Sequence, residues 1–271
     1  MNFKKELDTT LKAAEAAAKI IREYASDQSF EIDLKRKNDL VTDADLASEK
    51  KIIEIIKAEF PEDQFLAEES NTYTELPPGR VWIIDPIDGT TNFSHGFPPY
   101  CVSIAFWEDG IAKVGLVLEV ANDECFWAVE GEGAYLGETK LSVSEITDPS
   151  KALIATGFPY SHFELVDPYL QVLKNMMQKT HGVRRAGAAS YDLCCVAAGR
   201  VEGFYEYGLN PWDIAAGMLI IKEAGGISTD WKGEQNQLFG KRIITGNSFI
   251  CKFLQKQLEA CFDEEELEIK K

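Results

Sequence analysis

The stretch Val81–Pro98, VWIIDPIDGTTNFSHGFP, governs how the rest of the chain is read. Val81 to Ile84 is a short apolar run bounded by turn residues, the pattern of a buried strand. Asp85 closes the run, and Pro86-Ile87-Asp88-Gly89 then turns the chain. Two carboxylates, Asp85 and Asp88, therefore leave the strand end together. The carbonyl of Ile87 and the hydroxyls of Thr90 and Thr91 lie beside them in sequence. Such a density of hard oxygen donors suits Mg²⁺ or Ca²⁺. Taken alone, the same residues also suit a Pro/Gly turn carrying solvated acids, so the remaining chain has to decide between the two.

With 271 residues, 45% hydrophobic and 27% charged, the chain is of ordinary globular composition and long enough for a large core. One large domain or two tightly joined ones both suit that length. The net charge of -17 argues against a nucleic-acid partner or an anionic membrane, which it would repel. An anionic substrate would then need local positive charge, which bound metal ions supply. Cys101, Cys125, Cys194, Cys195, Cys251 and Cys261 show no C-x-x-C spacing, and reduced thiols in a cytoplasmic protein are expected. The N-terminal MNFKKELD has no segment of signal-peptide type, and no run reaches membrane-spanning length. His95, His162 and His181 are scattered, and no H-E-x-x-H, G-x-S-x-G or Walker-type phosphate loop occurs.

Leu7, Leu11, Ala14, Ala18 and Ile21 recur at helical spacing. Residues 31–37 read as extended or looped. Thr42 or Asp43 then caps a second helix with Leu46, Ile52, Ile53 and Ile56 on its apolar face, ended by Pro61. Asp45 falls in its first turn, where an acid offsets the helix dipole. Phe65-Leu66-Ala67 is a second short apolar run that delivers Glu68 at its end. Strands are expected at 100–107 and 113–119 around an Asp109-Gly110 turn, and at 125–129 and 134–136. The run GEGAYLG (131–137) lacks the spacing of a dinucleotide fingerprint and reads as turn chemistry. Further strands are expected at 153–156, at 203–207 carrying Glu206, and at 243–245. Helices are expected at 164–178, 192–198, 211–224 and 248–262, with Asp213 as the N-cap of the third. The loop GVRRAGAASY (182–191) sets two arginines among small residues that let a ligand approach the backbone. Residues 263–271, DEEELEIKK, read as a charged, solvated tail. Strands and helices come in blocks, which suits layered sheets and helices.

Four segments together resemble the inositol monophosphatase family. Asp85-Pro86-Ile87-Asp88-Gly89-Thr90-Thr91-Asn92-Phe93 is similar to its first signature. Trp212-Asp213-Ile214-Ala215-Ala216-Gly217, with Glu223-Ala224-Gly225-Gly226, is similar to its second. Glu68-Glu69-Ser70 and the Asp39–Asp45 segment are similar to two further elements, in the family's order. The resemblance implies an α/β protein, a five-layer α-β-α-β-α sandwich, with a single phosphatase domain over 1–262 whose two halves meet near 145–152, and a tail over 263–271. It implies two or three Mg²⁺ ions: Glu68, Asp85 and the Ile87 carbonyl for one, and Asp85, Asp88 and Asp213 for a second. It implies that Glu68 and Thr90 position and activate water, with Asp45 beside Thr90. It places Asp88, Gly89, Thr90, Gly187, Ala188, Ala189, Glu206 and Asp213 against the substrate. A homodimer and inhibition by Li⁺ are implied in the same way.

The physical chemistry agrees. Paired metal ions can bind a phosphate ester, generate the attacking nucleophile and stabilise the leaving alkoxide, so that positioning and charge suffice and no covalent nucleophile is needed. Thr91-Asn92, directly after the Asp-Gly-Thr, resembles the branch that acts on inositol-1-phosphate. Fructose-1,6-bisphosphate, NADP and other small phosphate esters are the alternatives on the same site. A non-catalytic binding or regulatory protein on this fold is the alternative of another class. Three departures stand out. Ala188 follows Gly187 where many relatives place Ser or Thr, the mobile-loop lysine of the family could be either Lys35 or Lys37, and Asn210-Pro211 leave the substrate rim unlike some relatives.

Overall fold

The computed structural model describes residues 2–27, 32–36, 39–70, 73–159, 163–235 and 237–267. The chain begins with helix α1 (Lys4–Asp27), whose Leu7, Ala14, Ala18 and Ile21 are buried as their spacing predicts. A small hairpin follows, β1 (Ile32–Arg36) against β2 (Asp39–Thr42). Lys35 sits on β1, whereas Lys37, the other lysine considered, lies outside the described residues. Helix α2 (Asp43–Glu59) buries Ile52 and Ile56. Leu46, expected on the same face, is 53% exposed instead. It lies a turn and a half before Ile52, so its side chain points away from the packed stripe.

Next come β3 (Gln64–Ala67), β4 (Arg80–Asp88), the short helix α3 (Thr90–Ser94), β5 (Cys101–Glu108), β6 (Ile111–Glu119), β7 (Glu124–Val129), β8 (Gly133–Leu136) and β9 (Thr139–Lys140). They form one seven-stranded sheet in the order β3-β4-β5-β6-β7-β8-β9, with β3 parallel to β4 and every later pair antiparallel. The second half contains β10 (Leu153–Thr156), α4 (Val166–Lys179), β11 (Gly182–Arg184), α5 (Ala189–Ala197), β12 (Gly203–Tyr207), α6 (Pro211–Glu223), β13 (Ile227–Thr229), α7 (Gln237–Gly240), β14 (Arg242–Gly246), α8 (Ser248–Glu259) and α9 (Glu264–Leu267). Its five-stranded sheet runs β11-β10-β12-β14-β13.

Three apolar layers hold these elements together. On β4, Trp82 and Ile84 pack with α1 and α2, while Val81 and Ile83 face the opposite side, as the two-residue period of a strand requires. That opposite side meets α5 and α6 through Leu193, Ile214 and Ile220, and these helices reach Phe204 and Ile243 on the five-stranded sheet. The far face of that sheet, through Tyr205, Tyr207 and Ile244, meets Tyr169 of α4 and Leu254 of α8. The layers thus run helix, sheet, helix, sheet, helix. Each fully buried Ile or Leu in them contributes roughly 1.5–3 kcal/mol.

Several elements differ from expectation. Strand β4 continues through Pro86 and Ile87 to Asp88 rather than turning after Ile84. Helix α5 begins at Ala189, three residues early. Strand β13 was hidden by its brevity and by the Gly225-Gly226 pair before it. Asp213 is not the N-cap of α6: Asn210 is, with Pro211 in the first turn. The tail is not wholly solvated, because Leu267 is buried against the outer layer and the Glu266 carbonyl accepts a hydrogen bond from Arg242. Residues 268–271 of that tail lie outside the described residues, as does His162. All six cysteines are free thiols. Among the described residues no helix is long and apolar enough to cross a membrane.

Candidate active site

Residues three apart on a regular strand face opposite sides of the sheet. Asp85 and Asp88 escape that rule through a bulge. Asp85 pairs with Ser103 and Asp88 with Cys101, so β4 spends one residue more than β5 between the two pairs. The extra residue returns both carboxylates to one side. Pro86 is tolerated there because a bulge leaves a residue without a ladder partner. The Asp85 Oδ1 accepts the Ile87 N–H at 3.0 Å, and the Pro86 carbonyl accepts the Ser48 hydroxyl of α2 at 3.2 Å, so the bulge is held from both sides. Gly89 then takes a left-handed φ of 93°. A Cβ on it would lie 3.1 Å from the Pro99 carbonyl and 3.2 Å from the Ala188 Cβ, so a glycine is required on both counts.

Three helices point their N-termini at this bulge, and each is tied to a carboxylate. At the start of α2, Thr42 donates to Asp45 Oδ2 from its N–H at 2.8 Å and from its hydroxyl at 2.5 Å. The other oxygen, Oδ1, accepts the Thr90 hydroxyl at 3.2 Å. That hydroxyl also lies 3.0 Å from the Ile87 carbonyl. At the start of α6, Asp213 Oδ2 accepts the Asn210 N–H at 2.7 Å. Asp45 and Asp213 are thus both third-position acids that reach back to the N-cap backbone. At the start of α5, Ala188 offers no capping side chain. Asp88 supplies the cap from across the molecule, accepting the Ala189 N–H at 3.3 Å and the Ser190 N–H at 2.7 Å. Helix N-termini favour negative charge, which lets this acidic chain gather carboxyls in one place.

Glu68 follows β3, and its N–H donates to the Ile84 carbonyl of β4 at 3.1 Å. Glu49, buried on α2, accepts the Glu69 N–H at 2.7 Å and steadies this segment. The Glu68 and Asp213 carboxyls both come within hydrogen-bonding reach of Asp85. Burial first, and then the charges of Glu68, Asp88 and Asp213, push the Asp85 carboxyl well above the usual carboxylate range. Burial and then Asp88 push Asp213 up, against the Asn210 N–H that pulls it down. Asp88 is raised by burial and held back by the Ser190 hydroxyl, the Ser190 and Ala189 N–H groups and Arg185.

Carboxyls crowded in this way need protons or cations between them. The donor set, carboxylates with one backbone carbonyl, is that of a hard divalent ion such as Mg²⁺. Among the described residues no three acids already close on one point as a cage. An open set of this kind suits an ion that keeps water and takes substrate oxygens as further ligands.

The positions expected to face substrate lie beside these acids. Gly187 has a φ of 93°, and a Cβ there would lie 2.8 Å from Arg185 Nη1 and 3.0 Å from the Asn92 amide. Asn92 donates to the Ala186 carbonyl at 2.9 Å and to Pro99 at 2.8 Å, which seats the small-residue loop on α3. The Glu206 carboxyl on β12 is pushed far up by burial, then by Asp192, Asp213 and Asp88, with Arg185 opposing. Four contributors were missed at the level of sequence. Ser190 and Asp192 looked like members of a loop and an apolar helix, and nothing in the sequence singled out Glu49. Gly157 looked incidental, yet a Cβ on it would fall 1.9 Å from Glu206 Oε1. Thr-x-x-Asp at 42–45 and Asn-x-x-Asp at 210–213 were the signals that were there to be read.

The sequence model of the inositol monophosphatase family matches residues 4–265. "Putative Nus factor SuhB" of Neisseria meningitidis serogroup B is 41% identical over 255 residues, 94% of this chain and 98% of that protein. The crystal structure of extragenic suppressor protein suhB from Bartonella henselae superposes with a TM-score of 0.90 at 37% identity, covering 96% of this chain and 100% of that one. Inositol monophosphatase from Anabaena superposes with a TM-score of 0.85 at 33% identity, covering 98% and 99%.

Proposed function

Because the chain belongs to the inositol monophosphatase family, we propose that it is a Mg²⁺-dependent phosphomonoesterase acting on inositol-1-phosphate or a similar small polyol phosphate. One observation carries this reading: Glu68, Asp85, Asp88 and Asp213 bear on one another in a single cluster around the buried Asp85 and Asp88, at the mouth of three helices. Glu68, Asp85 and the Ile87 carbonyl would hold one ion, and Asp85, Asp88 and Asp213 a second. Mg²⁺ held there would neutralise the ester's charge and acidify a water molecule in its shell.

The chain's own groups do the rest. Thr90 Oγ1, its proton directed to Asp45 or Ile87, keeps a lone pair for the attacking water. Glu68 accepts the proton that the water gives up. Thr42 fixes Asp45 so that this relay does not rotate. Gly89 and Thr90 offer backbone N–H groups to the phosphate, and Gly187, Ala188, Ala189 and Glu206 line the alcohol side. An Asp-Gly-Thr followed by Thr91-Asn92 supports the inositol ester over a bisphosphate or a dinucleotide.

A panel of myo-inositol-1-phosphate, fructose-1,6-bisphosphate, NADP, 3′-phosphoadenosine 5′-phosphate and histidinol phosphate tests this by kcat/KM. Preference for the inositol ester supports the assignment. Preference for another ester keeps the chemistry and overturns the substrate.

A second reading comes from the relative named as a putative Nus factor, 41% identical to this chain: a partnership with the transcription machinery beside the hydrolytic site. The net charge of -17 favours a protein partner over direct contact with nucleic acid.

A further inference from the structure

Asp88 is not a free ligand. Its Oδ2 accepts two hydrogen bonds, from the Ser190 N–H at 2.7 Å and the Ser190 hydroxyl at 2.5 Å. Its Oδ1 accepts one, the longer bond from the Ala189 N–H at 3.3 Å. An ionised carboxylate offers about four acceptor directions in all. Both on Oδ2 are therefore filled, and the one left open lies on Oδ1.

We infer that Ser190 is a positioning residue that holds Asp88 to a single open acceptor, Oδ1, and thereby selects Mg²⁺ over Ca²⁺ at this site. The inference rests on the reading of Asp88 as a carboxylate that faces a cation. Ser190 is fully buried, so no solvent substitutes for its hydroxyl. The two backbone N–H groups come from α5 itself and persist whatever the side chain. The hydroxyl alone is a choice of sequence, and it closes the second direction on Oδ2. Without it, each oxygen keeps one N–H and one open direction, so the carboxylate can present both oxygens at once.

That difference matters because the two ions differ. Mg²⁺ demands near-octahedral geometry and retains several waters, whereas Ca²⁺ accepts six to eight oxygens and takes bidentate carboxylates readily. A two-oxygen grip by Asp88 would consume a position that water or a phosphate oxygen needs. A one-oxygen grip leaves it open. The anchoring also spans two layers, from the β4 bulge to the start of α5, so the first sheet and the middle helix layer hold the ligand between them.

The test is calorimetric titration of the chelated, full-length protein with Mg²⁺ and with Ca²⁺, without substrate. Wild type, Ser190→Ala and Ser190→Cys are compared. The alanine variant loses the donor, and the cysteine variant keeps a weak one at similar size. Removing a group that orients a ligand typically weakens metal binding by about 10- to 100-fold. Ser190→Ala is expected to weaken Mg²⁺ binding by about tenfold or more while Ca²⁺ binding holds or tightens, with Ser190→Cys between the two. At saturating Mg²⁺ the variant's kcat should return towards that of wild type, which a general packing defect would not allow. Equal Mg²⁺ and Ca²⁺ affinities in wild type and Ser190→Ala would overturn the role of Ser190 and leave the metal site standing. A wild type that binds neither ion would overturn both.

Discussion

Asp45→Asn separates the relay from the metal ligands. The amide can sit in two orientations. If its nitrogen replaces Oδ2, it meets the Thr42 N–H and hydroxyl at 2.8 and 2.5 Å, two donors against a donor. If it replaces Oδ1, only the Thr90 hydroxyl at 3.2 Å has to reverse, and that group still has the Ile87 carbonyl at 3.0 Å. The second orientation wins. Both Thr42 bonds survive as neutral ones, and the acid at the helix start is lost, a cost of about 1–2 kcal/mol. The protein therefore stays folded. Thr90 Oγ1, however, now spends a lone pair on the Asn N–H and can no longer pass its proton to position 45, so the proton relay to that side chain is broken. Loss of acid–base assistance typically costs 10²- to 10⁴-fold in rate, about 3–5 kcal/mol. Phosphate release at saturating Mg²⁺, a thermal melt and a Mg²⁺ titration should then show a large fall in kcat, a small fall in Tm and an unchanged affinity. A kcat within threefold of wild type would refute the relay, and activity restored by more Mg²⁺ would assign Asp45 to ion binding instead.

Three further outcomes are expected. Asp213→Asn keeps an oxygen for the Asn210 N–H and removes one of the mutually repelling carboxyls around Asp85, so activity falls at least 100-fold while the metal-free Tm holds or rises; a coupled fall of both would point to a purely structural Asp213. Gly157→Ala puts a Cβ within 2.1 Å of both Glu206 carboxyl oxygens, which must swing away. The loss of one hydrogen bond to the alcohol should lower kcat/KM by up to roughly tenfold, and steady-state kinetics with an unchanged value would remove Glu206 from the substrate side. Arg200, hydrogen-bonded to Glu124, holds that carboxyl below its usual range. A lowered folded value means stability that is present above about pH 4.5 and lost as pH falls through the folded pKa. The half-exposed pair is worth at most about 1 kcal/mol. Melts of Glu124→Gln should therefore lie slightly below wild type near pH 7 and converge with it in acid.

Much of this was legible in the chain itself. The apolar run of β4, the helical spacing on α1 and the block order of strands and helices pointed to layered sheets and helices, and the resemblance carried by the four motifs to the five layers that the structure displays. The acids of the site were also visible, because hard-ion chemistry uses residue types that stand out in sequence. The local devices that aim them were less so. Asp85 and Asp88 share a side only because of a one-residue bulge, and a bulge depends on the pairing register with β5. Asp213 was taken for an N-cap because Asp is a good one, although Pro211 in the first turn already implied that the cap was Asn210. Ser190 and Gly157 act on carboxylates far away in sequence: α5 packed on β4 brings Ser190 to Asp88, and the parallel pairing of β10 with β12 brings Gly157 to Glu206. Leu46 shows the opposite error, in which an apolar residue at nearly the right spacing stays in solvent.

The central claim is that the carboxyl cluster works by holding divalent ions against a phosphate ester. Phosphate release from myo-inositol-1-phosphate by chelated wild-type protein, followed as Mg²⁺ is returned, tests it most directly. The account predicts no release without Mg²⁺ and a steep, saturable return as the ions bind. Release that persists in the chelated protein, or none from a protein shown by calorimetry to have bound Mg²⁺, would contradict it.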